Sequence, residues 1–119
     1  MRKNVSMMIA ATALAVAALA TQNANATDAA KGKVLYDQSC SSCHGADGKG
    51  GLPGVPDLTA KKGVLSQADT VLTDRITNGY QSPGSPMGMP PKGGNASLTK
   101  DDIEAILAYM HKAFGVPGK

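Results

Sequence analysis

Cys40-Ser41-Ser42-Cys43-His44 is the stretch from which the rest of this 119-residue chain can be read. Cys-x-x-Cys-His is the pattern that attaches a haem covalently and ligates its iron. If the chain runs helically into the motif, Cys40 and Cys43 stand on one face, where their sulfurs reach the two vinyl groups and form thioethers. His44 then points its imidazole at the iron. Three other chemistries compete for these residues. A zinc site needs a fourth ligand, a thiol redox motif has no use for the histidine, and a disulfide across two intervening residues is strained. Both cysteines of the chain lie in the motif, so the expected staple is the cofactor, one covalent haem c, and not a disulfide.

Upstream, Arg2 and Lys3 give a positive start, Met7 to Ala20 is almost wholly apolar, and Ala24-Asn25-Ala26 fits the small-x-small rule of a signal-peptidase site. Residues 1–26 are therefore expected to be a cleaved signal peptide, which directs residues 27–119 to the periplasm as one domain. The apolar run falls short of the roughly 20 residues that span a bilayer, which weighs against an uncleaved anchor. Nothing downstream is apolar enough to cross a membrane.

With one Phe, three Tyr and no Trp, the chain has little of the aromatic bulk that fills a small core. A haem would supply it. Removing Arg2 and Lys3 leaves 10 basic against 9 acidic residues, and two haem propionates shift that balance to the acidic side. The lysines are interspersed with acids and lack interleaved aromatics, which excludes a nucleic-acid surface. The expected partners are redox proteins, a donor and an acceptor, with no stable membrane anchor, and the chain is expected to act as a monomer.

The pattern predicts an all-α fold of three main helices joined by two long loops. Thr27 to about Ser42 reads as the first helix, capped by Thr27 or Asp28, with Val34, Leu35 and Tyr36 as apolar positions. Gly32 inside it costs roughly 1 kcal/mol relative to Ala, which suggests that another helix crosses closely there. Gly45 to Lys62 holds five glycines and two prolines, too many for regular structure. Ser66 followed by Asp69 reads as a capping-box start for a middle helix that carries Val71, Leu72 and Ile76 and stops at Asn78-Gly79. Tyr80 to Ser97 is again rich in Pro and Gly. Thr99 with Asp102 caps a last helix whose apolar stripe is Ile103, Ile106, Leu107, Met110 and Phe114, ended by Gly115 and Pro117. No strand or repeat is readable.

A second axial ligand closes the iron's coordination sphere, and a thioether opposite histidine raises the potential. The candidates are Met89 and Met87. Two prolines after Met89 stiffen its approach and favour it. His111, near the end of the last helix, reads as solvated, and Lys61-Lys62 likewise. Lys49 and Lys92 lie near the haem-contacting segments and are candidates for partner docking.

Taken together, the motif near the mature N-terminus, the methionine loop after a middle helix and Ile106-x-x-Tyr109 on the last helix resemble the class I monohaem cytochromes c. That resemblance implies that Gly32 and Tyr36 of the first helix pack against Ile106 and Tyr109 of the last. It also implies that Pro56, in Pro56-Asp57-Leu58, accepts the Nδ1 proton of His44 through its carbonyl, with Pro53 as the alternative. Met89-Pro90-Pro91-Lys92-Gly93-Gly94 is similar to the methionine loop of the small bacterial cytochromes of the c-five group, although the cysteine pair often found near that loop is absent from Asn95-Ala96-Ser97. The implied function is that of a soluble electron carrier, not an enzyme, with a His/Met-ligated haem. The competing readings are a haem subunit held permanently by a dehydrogenase or oxidase, and a haem enzyme with an open sixth site.

Overall fold

The computed structural model describes residues 24–119, so the expected leader lies outside the described residues as far as residue 23. Four helices, α1 (Ala24–Ser39), α2 (Ser41–His44), α3 (Asp69–Asn78) and α4 (Lys100–Phe114), alternate with loops, and two short 3-10 turns cover Val64–Ser66 and Pro91–Gly94. No strand forms among the described residues, and a single antiparallel bridge joins Tyr80 to Met89. The all-α expectation holds, but the first helix does not run on to Ser42. Cys40 takes φ −124° and ψ −35°, which turns the chain, and α2 starts as a separate turn after it. The Cys40 carbonyl still accepts from the His44 N–H at 3.0 Å, so helical spacing survives across the motif.

The closest helix pair is α1 against α4, and Gly32 explains it. A Cβ at Gly32 would fall on the Ala105 carbonyl, 2.5 Å from its carbon, and 2.9 Å from the Tyr109 Cβ. Only a residue without a side chain lets the two backbones meet there. One turn later Tyr36 is fully buried, with its ring 5.4 Å from that of Tyr109 and 5.6 Å from that of Phe114. Three of the four aromatic residues thus form one cluster, which concentrates the scarce aromatic bulk at the helix crossing. Ile103, Ile106, Leu65 and Val116 are the other large side chains removed almost wholly from water. Val34 departs from its expected apolar role: it is 55% exposed, because the buried face of α1 follows Ala29, Gly32 and Tyr36.

Two expectations at the start of α3 are corrected. Its N-cap is Ala68, with no side-chain cap, and Ser66 instead closes the preceding 3-10 turn, where its hydroxyl donates to the Gly63 carbonyl at 2.6 Å. Asp69 faces His111 at 2.8 Å, and the other ring nitrogen of that histidine lies 2.6 Å from the Val116 carbonyl. His111 is therefore not solvated, its side chain being 12% exposed. Both partners are acceptors, so the two contacts are made together only by a doubly protonated ring. The C-terminal tail folds back over this site, and the Lys119 carbonyl accepts from the Asp69 N–H. Lys61 is also more than a solvated charge, because its ammonium donates to the Gly115 carbonyl at the end of α4.

At the other end of α4 the capping box forms as read: the Asp102 N–H donates to Thr99 Oγ1 and the Thr99 N–H to Asp102 Oδ2. The second carboxylate oxygen of Asp102 pairs with Lys31 of α1 at 2.8 Å. The Lys31 ammonium and then the Thr99 N–H hold this carboxyl down at about 2. Because the folded value lies below the ordinary carboxylate range, the stability it contributes is present above pH ~4 and is lost as pH falls towards 2. Asp102→Asn is expected to melt below wild type at pH 6, with the gap closing by about pH 2 in thermal scans. A gap independent of pH contradicts this role.

Candidate functional site

The four helices and the two Gly/Pro-rich loops leave a cleft of about 350 Å³. Cys40, Cys43 and His44 line it from one side, Met89 and Met87 from the methionine loop, and Leu72 and Ile106 from the walls behind. The structure therefore brings every expected site residue, Pro56 included, to one cavity. Its wall is mostly hydrocarbon, the surroundings that a flat aromatic macrocycle needs.

The motif reaches this position through its own loop. The His44 carbonyl accepts from the Gly50 N–H at 2.8 Å, and the Gly48 carbonyl accepts from the Leu58 N–H at 2.7 Å. The Tyr36 hydroxyl donates to the Gly45 carbonyl at 2.7 Å, tying the loop to the aromatic cluster. Burial, with the Cys43 thiol beside it, pushes the Cys40 thiol up to about 11. Burial thus disfavours the thiolate form of Cys40. Burial also lowers the His44 imidazole from its ordinary range, which favours the neutral ring with a free lone pair, the form that ligates iron.

The bond implied between His44 Nδ1 and the Pro56 carbonyl is not made. Nδ1 is buried without a hydrogen-bond partner, and it is the one such side-chain atom among the described residues. Pro56 lines the cleft, but the nearby loop bonds run from Val55 to Leu52 and from Leu58 to Gly48, and none of them aims the Pro56 carbonyl at His44.

The structure separates the two methionines. Met89 is half-buried against the core, and its backbone pairs with Tyr80: its N–H donates to the Tyr80 carbonyl at 2.7 Å and its carbonyl accepts from the Tyr80 N–H at 3.1 Å. Met87 also lines the cleft but is 43% exposed, with its carbonyl accepting from the Ser85 hydroxyl. A feature that reading the sequence did not find is the anchor of this loop. Lys92 and Gly93 have φ of 55° and 61°, and a Cβ at Gly93 would lie 2.5 Å from the Ser39 carbonyl oxygen. Asn95 donates to Ser39 Oγ at 3.1 Å. The methionine loop is thereby pinned to the residue before Cys40, and the Gly93-Gly94 pair was the signal available for it.

Lys49 is exposed and Lys92 half-buried in its turn. Between Gly50 and Pro56, and between Ile76 and Pro91, the two loops contain no charged side chain. Among the described residues no cluster of three or more His, Cys, Asp or Glu is arranged to hold an ion.

Residues 27–110 match the family described as cytochrome c oxidase, cbb3-type, subunit III. The chain belongs to the c-type cytochromes. A cytochrome c-555 of Chlorobaculum tepidum is 39% identical over 105 residues, covering 88% of this chain and 94% of that protein. The cbb3-type oxidase subunit CcoP of Azospirillum brasilense is 31% identical over 78% of this chain, which spans 32% of that protein. The structure of cytochrome CL from Methylophaga aminisulfidivorans superposes with a TM-score of 0.57 at 27% identity, over 77% of this cytochrome and 55% of that chain. The cytochrome has the class I all-α fold, binds one covalent haem c and transfers electrons. Two thiols, a neutral imidazole and a thioether sulfur around one apolar cleft fit that cofactor.

Proposed function

We propose that Cys40 and Cys43 hold the haem by thioethers, that His44 and Met89 are its axial ligands, and that the cytochrome diffuses in the periplasm between a donor and an acceptor. The observation that carries this reading is the meeting of the Cys-x-x-Cys-His segment and Met89 across a single apolar cleft. When bound, the haem supplies a one-electron ferrous–ferric couple. The chain's part is to hold Cys40 and Cys43 at helical spacing, to keep His44 unprotonated, to keep Met89 at its depth through the Tyr80 bridge, and to exclude water with Leu72 and Ile106. No covalent chemistry on a substrate is asked of it, so it is not an enzyme in this reading. The chain is 39% identical to the cytochrome c-555 and 31% identical to the segment of CcoP that it matches, and the higher identity to the former supports the free-carrier reading. No helix among the described residues is long and apolar enough to cross a membrane.

The test is expression in a haem-loading periplasm followed by acidified-acetone extraction and potentiometry. Wild type is expected to retain its haem and to titrate with one electron. Cys40→Ser with Cys43→Ser is expected to release all of it, and retention by the double variant refutes the attachment. Isolation of the wild type only in a complex with a large dehydrogenase or oxidase overturns the free-carrier reading.

A further inference from the structure

The methionine side of the cleft holds one permanently charged group, Arg75 of α3. Apart from the two thiols, His44 and the Tyr80 phenol, no other ionisable side chain lines the cleft, and none of its lining residues is Asp, Glu or Lys. Arg75 takes part in none of the four ion pairs among the described residues. Its guanidinium carbon lies 3.9 Å from the centroid of the Tyr80 ring. That stacking fixes where the cation sits, but an aromatic face leaves the N–H fork free along its edges. Holding a half-buried cation against a hydrocarbon wall is unfavourable unless an anion meets it.

We propose that Arg75 is the counter-charge for a propionate of the bound haem, held at the cleft by the Tyr80 ring. Haem c brings two carboxylates into a cleft that otherwise offers them no cation, and a guanidinium fork meets a carboxylate with two parallel N–H donors. The arrangement also links charge to ligation, because the residue that carries the stacking ring is the one whose backbone bridges Met89. Neutralising a propionate beside the iron favours the ferrous state, which carries one positive charge fewer. Loss of Arg75 therefore leaves an uncompensated carboxylate that favours the ferric state.

This inference rests on the cleft being the haem site, and the two fail differently: an error about the cleft appears as covalent haem surviving in the Cys40→Ser, Cys43→Ser protein, whatever Arg75 does. The experiment compares holo wild type with Arg75→Gln, Arg75→Lys and Lys112→Gln, the last being an exposed lysine on α4 that does not line the cleft. At a fixed applied potential the ferrous-to-ferric ratio of Arg75→Gln is expected to fall about three- to tenfold. Arg75→Lys is expected to keep most of the ratio, and Lys112→Gln all of it. An unchanged ratio in Arg75→Gln, or an equal fall in Lys112→Gln, overturns the assignment. A second readout on unmodified protein guards against a variant that does not mature. In the ferrous state the Arg75 Nε–H resonance is expected to be protected from solvent exchange, and an exchange rate equal to that of free arginine overturns it as well.

Discussion

Met89→Ala is expected to abolish the weak far-red sulfur-to-iron band of the oxidised cytochrome, to lower its potential, and to let the reduced protein bind carbon monoxide at neutral pH. Met87→Ala is expected to leave all three as in wild type. The difference follows from where the backbone puts each residue. Met89 is locked by two hydrogen bonds to Tyr80, flanked by Gly88 and Pro90, and packed against the core, whereas Met87 sits in a turn closed by Ser85 and is 43% exposed. Moving Met87 into the ligand position would break the Ser85 turn and slide the Tyr80 pairing by two residues. A thioether opposite histidine raises the potential, so its loss lowers it, and an open sixth position admits a diatomic ligand. If the band persists in Met89→Ala and vanishes in Met87→Ala, the two methionines exchange roles. If wild type lacks the band and binds carbon monoxide, the site is open and the enzymatic reading takes precedence.

Gly32→Ala is expected to cost the fold about 3 kcal/mol or more, above the usual penalty for an overfilled core, because the obstacle is backbone. The added carbon falls on the Ala105 carbonyl, which is itself engaged in α4, so no side chain can rotate away to make room. The helices must separate, and the Tyr36, Tyr109 and Phe114 rings beyond the crossing lose their contacts together. For a domain of this size the thermal midpoint is expected to fall by about 12 °C or more. Gly51→Ala is the control: a Cβ there meets nothing within 4 Å, and a shift under a few degrees is expected. Equal midpoints for the two variants would show that the crossing is not where the fold is held.

Much of this was legible from local chemistry. Thr99 and Asp102 form a capping box because both partners lie within one turn, and Gly79 and Gly115 end their helices with φ of 79° and 69° because that conformation favours glycine. Cys40, Cys43 and His44 are bound by three-residue spacing, which makes their common orientation a property of the chain alone. The methionine pair was narrowed by Pro90 and Pro91 for the same reason, since proline restricts its own neighbours.

Readings failed where a side chain had a choice of distant partners. Ser66 and Asp69 carry the pattern of a cap, but Gly63 and His111 compete for them and win. His111 reads as a solvated helix-end residue until the tail carries Val116 back over it, 5 residues on in sequence but dependent on the docking of α3 against α4. The role of Arg75 was hidden for the same reason, because nothing in Asp74-Arg75-Ile76 tells which wall that face of α3 will form. Residue spacing decides caps, helix ends and the attachment motif, since those interactions close within a few residues and cost little chain entropy. The contact of Gly93 with Ser39, the His111 clamp and the depth of Met89 required the packed chain, because each depends on segments whose relative placement is set by burying one shared apolar surface.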